Sequence, residues 1–218
     1  MKKRIVISVV VLIAFTTITS KQEIVISKFN LKKIEVENNF LLAEKDIKKL
    51  LGAFYDQNLI ILKNSEIEKT LLQNNFIESF NIKKKYPDTL KIKIFEKKPI
   101  AILINEKRKF YLSEKIELIN YVRLPNYNDL PYIFGNEDDF KIFYNNLNKI
   151  NFPFDQIQKF TLYETKRWDL ETKNNIIIKL PPKNYLKSIE NFLSIKDEKN
   201  VKKYKVFDYR VNDQLILK

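Results

Sequence analysis

A chain that lacks both histidine and cysteine has given up the commonest general base, the most reactive nucleophile and the ligands that dominate zinc sites. This sequence contains neither residue. A serine–lysine dyad remains formally open, but no motif frames one. The paired carboxylates Asp138 and Asp139 stand at the start of an apolar run of helical period. There the helix dipole favours negative charge, so they are expected to support a helix start and not a reaction. Asp208 and Arg210 are two residues apart, which on a strand puts them on one face, able to pair with each other or with a neighbouring strand. Trp168, the one tryptophan, is expected to anchor a core. No catalytic residue, cofactor site or metal site is expected, and the polar chemistry points to recognition.

The net charge of +13 raises the question of nucleic acid. The lysines, however, are dispersed along the chain and seldom bunched with aromatics. Heavy use of Ile, Asn and Lys together is what an A+T-rich genome imposes. Topology argues the same way. Lys2, Lys3 and Arg4 precede a largely apolar run from Ile5 to Ile18, with no charge before Lys21. Such a basic flank keeps the first four residues in the cytoplasm and sends the remainder outward, away from nucleic acid. A helix over residues 5–20 would be about 24 Å long, and snorkelling by Lys21 with local thinning of the bilayer would absorb the shortfall. Thr17-Ile18-Thr19 is a poor cleavage site, so a retained anchor is expected, followed by a linker over 21–28.

The elements that hold these residues fall into two units of an α+β fold. In the first, Ile34 and Val36 flank Glu35 in a strand that ends at Asn38-Asn39. Ile47, Leu50, Leu51 and Phe54 share a helical face, with Gly52 in the last turn. A second helix is expected to begin at Ser65, where Ser65 and Glu68 have capping-box spacing, with Ile67 and Leu71 as its buried side. Two alternating runs follow, with Phe80, Ile82 and Tyr86 on one face of the first and Leu90, Ile92 and Ile94 on one face of the second. Tyr86-Pro87-Asp88-Thr89 turns between them. The order β-α-α-β-β over 29–99 resembles a POTRA domain. Tyr86 to Ile94 followed by Glu96-Lys97-Lys98-Pro99-Ile100-Ala101 resembles the "P-x-T-L…E-x-x-P-x-A" close of the FtsQ version.

The second unit, 100–218, reads as a mainly antiparallel β domain with flanking helices. Phe110–Ser113 and Ile116–Ile119 suggest a hairpin, and Leu130–Gly135 follows. Phe140, Phe143, Tyr144, Leu147 and Ile150 line one helix face. Phe160–Tyr163 comes next, and strands are expected at 167–170 and 176–181, joined by Lys173-Asn174-Asn175. Pro182 is expected in the first turn of a helix that buries Leu186, Ile189 and Leu193. A last strand runs from Tyr204 to Val211, with Leu215–Leu217 beyond. Arg167-Trp168-Asp169-Leu170 with Asn174 to Pro181 resembles the FtsQ signature "R-W-D-L…N-G…I-x-L-P", Asn175 replacing the turn Gly. Val206 to Leu215 resembles the closing "V-D-L-R-x-x-D-R-L".

Across nearly its whole length, the sequence is thus similar to the FtsQ/DivIB family of bacterial cell-division proteins. The resemblance implies a non-catalytic scaffold of the inner membrane at the division septum, with its C-terminal domains in the periplasm. It implies FtsB and FtsL as partners, the POTRA unit serving FtsK-linked recruitment and subunits of the septal peptidoglycan synthase. In the family the last strands dock a segment of FtsB by strand addition. Carried over by position, the candidates are Val206, Asp208, Tyr209, Arg210, Val211 and Leu215 on an edge strand, with Tyr185, Ile189 and Phe192 on a flanking helix. The main alternative is an exported soluble POTRA-containing binding module whose signal is cleaved. Outer-membrane POTRA carriers need a barrel that roughly 120 residues with interspersed helices cannot supply.

Overall fold

The computed structural model describes residues 2–16, 27–211 and 214–218. Helix α1 (Lys2–Thr16) takes up the basic flank and most of the apolar run. Its fifteen residues extend about 22 Å. No helix among the described residues is long and apolar enough to cross a membrane. Residues 17–20 of the expected anchor and 21–26 of the expected linker lie outside the described residues. The chain divides into two compact units, 1–96 and 97–218.

In the first unit, β1 (Lys33–Glu37) leads to α2 (Glu44–Leu50), α3 (Asn64–Leu71), β2 (Ile77–Lys85) and β3 (Thr89–Glu96). The sheet order is β1-β3-β2, with β3 central, parallel to β1 and antiparallel to β2. Leu90, Ile92 and Ile94 of β3 pack with Ile34 of β1 against Ile47, Leu51, Ile67 and Leu71 of the helices. Strand period 2 on β3 and helical period on α2 and α3 point every one of these side chains to the same core. Three local expectations need correction. The helix stops at Leu50, and Gly52–Phe54 forms a separate 3-10 turn that still buries Phe54. Lys63, not Ser65, stands at the N-cap of α3 without a side-chain cap, because Ser65 already lies inside the helix. Tyr86 falls in the turn beyond β2 and is exposed, so it does not continue the face of Phe80 and Ile82.

Glu96 closes this unit. Its carboxylate accepts the backbone N–H groups of Phe40, Leu41 and Leu42 at 3.0, 2.7 and 2.9 Å. The acidic residue of the exit motif therefore pins the loop between β1 and α2, satisfying three donors that have no strand or helix partner.

The second unit opens with β4 (Pro99–Asn105), which the sequence reading missed, then β5 (Arg108–Ser113), β6 (Leu118–Asn120) and β7 (Tyr132–Phe134). Helix α4 (Glu137–Lys149) precedes β8 (Ile157–Leu162), β9 (Trp168–Thr172), β10 (Ile177–Lys179), α5 (Tyr185–Ile195), β11 (Val206–Asp208) and β12 (Ile216–Leu217). These strands form one sheet in the order β12-β11-β10-β9-β8-β7-β4-β5-β6. The pairings are mixed, for β4–β7, β7–β8 and β10–β11 run parallel. The two helices cover one face, where Phe140, Phe143, Leu147, Ile189 and Phe192 join Ile133, Phe160, Leu170, Ile178 and Phe207. Asn136 caps α4 by accepting the Asp139 N–H at 2.8 Å, while Asp138 and Asp139 lie in the first turn. Pro182 lies outside α5, which begins at Tyr185 behind a left-handed Asn184. Asn175 takes the left-handed conformation, with φ 60°. At Gly135, a Cβ would stand 3.0 Å from Leu162 Cβ and 3.2 Å from the Trp168 ring, so a side chain here would make Leu162 or the tryptophan give way by a few tenths of an ångström.

Candidate partner-binding site

Strand alternation divides the signature residues between two faces. Trp168 and Leu170 of β9 face the helices, and Trp168 stacks on Phe143 with ring centroids 4.9 Å apart. Arg167 and Asp169 take the opposite, helix-free face. On β11 and just beyond it, Phe207 and Tyr209 face the core, while Asp208 and Arg210 face away.

The charged members pair within their own strands. Arg210 donates to both carboxylate oxygens of Asp208, at 2.8 and 2.6 Å, and its backbone N–H donates to the same group at 3.1 Å. Arg167 donates to Asp169 at 3.0 and 3.4 Å and lies over the Tyr163 ring, 4.2 Å from its centroid. The strand registers align Thr161, Asp169, Lys179, Asp208 and Ile216 in one row across β8 to β12. Lys179 thus stands between two buried aspartates, each already held by its own arginine. The Arg210 guanidinium holds the Asp208 carboxyl below its usual range against the opposing effect of burial, and Asp208 in turn raises Arg210. In the sequence, Arg167 and Lys179 stand out only as members of longer motifs. A charge at every second residue, Arg167, Asp169 and Glu171, is the signal that marks Arg167; Lys179 stands between Ile177 and Pro181, and only the strand register reveals its place.

The terminal strand differs from the expected one. It covers only Val206–Asp208 and is second from the edge, because Ile216–Leu217 folds back antiparallel beside it. Val206 and Lys218 exchange backbone hydrogen bonds at 2.9 and 3.0 Å. Antiparallel alternation then turns the Leu217 N–H and C=O outward, so β12 supplies the open edge. Val206 is half-buried on the open face.

Beside this margin lies a groove of about 850 Å³, lined by Tyr185, Lys187 and Asn191 of α5 together with Tyr209, Val211 and Leu215. Val211 is 47% exposed. Asn146 donates to the Tyr185 hydroxyl at 2.8 Å, which fixes that ring at the groove wall. Tyr209 lines the groove with its rim but is 7% exposed, and its hydroxyl donates to Asn191 at 2.9 Å. Burial pushes its pKa up to about 12. Ile189 and Phe192 are core residues, 0% and 3% exposed, so neither reaches a partner's surface. Of the helix candidates only Tyr185 remains at the site; the apolar period of α5 was the signature of its buried side.

Comparison with known proteins bears on this arrangement. The FtsQ-type POTRA domain model matches residues 29–97, and the model of the C-terminal domain of the cell division proteins FtsQ/DivIB matches residues 101–210. The chain belongs to the FtsQ/DivIB family. Among relatives of this cell-division family, FtsQ of Rickettsia bellii is 27% identical over 74% of this chain and 61% of its own length. FtsQ of Rickettsia conorii is 26% identical over 84% of this chain and 69% of its own. The chain thus spans roughly six to seven tenths of those FtsQ proteins. The major extracytoplasmic domain of DivIB from Geobacillus stearothermophilus aligns with 49% of this chain and 96% of its own, at 13% identity and a TM-score of 0.35. In FtsQ/DivIB terms, residues 29–97 are the POTRA domain, and residues 101–210 are the C-terminal domain that supplies most of the groove.

Proposed function

We propose that this cell-division protein is a non-catalytic, single-pass scaffold of the bacterial inner membrane, with its POTRA and β domains in the periplasm at the septum. The β domain holds an FtsB-type segment and, through it, the FtsB–FtsL pair, and so helps assemble the machinery of septal cell-wall synthesis. The POTRA domain serves FtsK-linked recruitment and contacts subunits of the septal synthase. The observation that carries the docking reading is the juxtaposition of the open β12 edge with the α5 groove. An extended segment adding to β12 gains backbone hydrogen bonds from Leu217, and its alternate side chains reach Val211 and Leu215 or the Asp208–Arg210 pair. The basic flank before α1 and the apolar run to Ile18 support the anchor.

The test is a titration of the purified chain with the cognate FtsB periplasmic segment, comparing wild type with Leu217→Pro and Val211→Lys. Proline at 217 removes an outward N–H and part of a side chain that packs on the core, while the β11–β12 bonds, made by Val206 and Lys218, persist. Each variant is therefore checked for an unchanged circular dichroism spectrum. Saturable binding that weakens at least about tenfold in each folded variant, roughly 1.4 kcal/mol, is the expected result. Wild-type binding untouched by Leu217→Pro would sink strand addition. Intact mass of the membrane-extracted protein separates a retained anchor from the cleaved, exported module.

A further inference from the structure

Three chain segments meet at one end of the POTRA domain. The arriving chain is stitched to the loop after the 3-10 turn by an Asn30–Asn58 bridge and by the Leu59 N–H donating to the Phe29 carbonyl at 2.8 Å. The β2–β3 turn joins them, for the N–H groups of Lys32 and Lys33 donate to the Asp88 carbonyl, and the Lys84 ammonium donates to the Leu62 carbonyl. The Phe29 and Tyr86 rings meet edge-on with centroids 6.2 Å apart.

This end exposes apolar surface that the core does not use. Ile60, Ile61 and Tyr86 are 54%, 77% and 56% exposed. Leu59 and Leu62 on either side of the isoleucines are buried, so the pair is held out on a fixed loop. Lys28 and Lys63 are exposed nearby, and Lys85 is held by Glu35 at 2.8 Å. The acidic groups here are Glu35, Asp56 and Asp88; Glu35 is taken up by Lys33 and Lys85, and Asp88 accepts the Thr89 hydroxyl.

We propose that this face, Ile60-Ile61 with Tyr86 and the flanking lysines, rests in the interface of an anionic lipid bilayer. The inference rests on the reading of the N-terminal apolar segment as a membrane anchor. Connectivity selects the occupant, because the face lies where the chain enters the domain. The eleven steps from Thr16 to Ser27 cannot exceed roughly 40 Å. Three apolar side chains fall far short of the roughly 20–30 residues a side of a stable protein interface. They suffice for an interfacial contact, since a short tether gives an effective concentration of about millimolar. Tyrosine and lysine at the headgroup level with isoleucine below them is the composition such a contact needs. The footprint fixes the tilt of the POTRA domain on the membrane.

The cysteine-free sequence makes the test direct. Single variants Ile61→Cys, Phe40→Cys and Leu12→Cys are spin-labelled in the full chain. They are reconstituted into vesicles of phosphatidylethanolamine with phosphatidylglycerol, and collisions with oxygen and with a polar nickel chelate are compared. Phe40, 83% exposed on the loop held by Glu96, serves as the aqueous reference. The expected result is a Leu12 label deep in the bilayer, and an Ile61 label several-fold less accessible to nickel than the Phe40 label. A Leu12 label in lipid with equal nickel access at 61 and 40 overturns the footprint and leaves the anchor. A Leu12 label in water overturns the anchor and the footprint with it. Ile60→Ser in the Ile61→Cys background, with an unchanged circular dichroism spectrum, should restore much of the nickel access.

Discussion

At Asp208 the sequence offered a choice between a pair on one strand and a pair across strands, and geometry resolves it toward Arg210. The carboxyl is nearly buried, while its partner stays half in water. Its folded-state pKa is depressed, so its contribution is present above about pH 4 and is lost as pH falls through the folded-state value. Asp208→Asn should therefore lower stability at neutral pH by about 1–3 kcal/mol and flatten the acid limb, measured by urea unfolding between pH 2 and 7. Tyr209 behaves oppositely. Its pKa is raised to about 12, so the unfolded chain loses that proton first and stability falls as pH rises from about 10 to 12. Tyr209→Phe should remove that alkaline slope, at the cost of the bond to Asn191, and thermal melts at pH 9 and 11.5 would show it.

At the scale of elements, α5 and the β11–β12 pair separate what stabilises the domain from what is free to bind. Ile189 is fully buried under the helix, and Val211 stands open at the groove margin. Ile189→Ala should cost about 2–5 kcal/mol in chemical unfolding. Val211→Ala should stay within about 0.5 kcal/mol and show its effect only in partner binding. The period of α5 was legible in the sequence, yet a period alone reports a buried face and says nothing about a docking face. The β4 strand escaped notice for a related reason. Ile100 to Ile104 is an unbroken apolar run, because β4 lies between two other strands with Ala101 and Leu103 in the core under the helices and Ile102 buried on the alternate face, which leaves no polar alternation to read.

For the molecule as a whole, both cores are assembled from residues after Ser27. Removal of residues 1–26 should leave the thermal unfolding transitions unchanged within about 0.5 kcal/mol, while the protein moves from the membrane to the soluble fraction after cell lysis. A truncated chain that still sediments with membranes would argue against the anchor. The charge of +13 is spread over both units, and many of its lysines are spent on local pairs such as Lys91–Glu37 and Lys97–Glu117.

Composition, period and motif by themselves determined the family, the β-α-α-β-β order, the packing role of Trp168 and the face shared by Asp208 and Arg210. These are local or periodic properties, written within a few residues of one another. Tertiary structure alone decided that β11 is not the sheet edge, that Lys179 lies between two aspartates, and that Glu96 holds a loop more than fifty residues away in sequence. Each depends on which strands become neighbours and in what register. A register shift of one residue would exchange the two faces, and no local pattern specifies which distant segment completes a sheet.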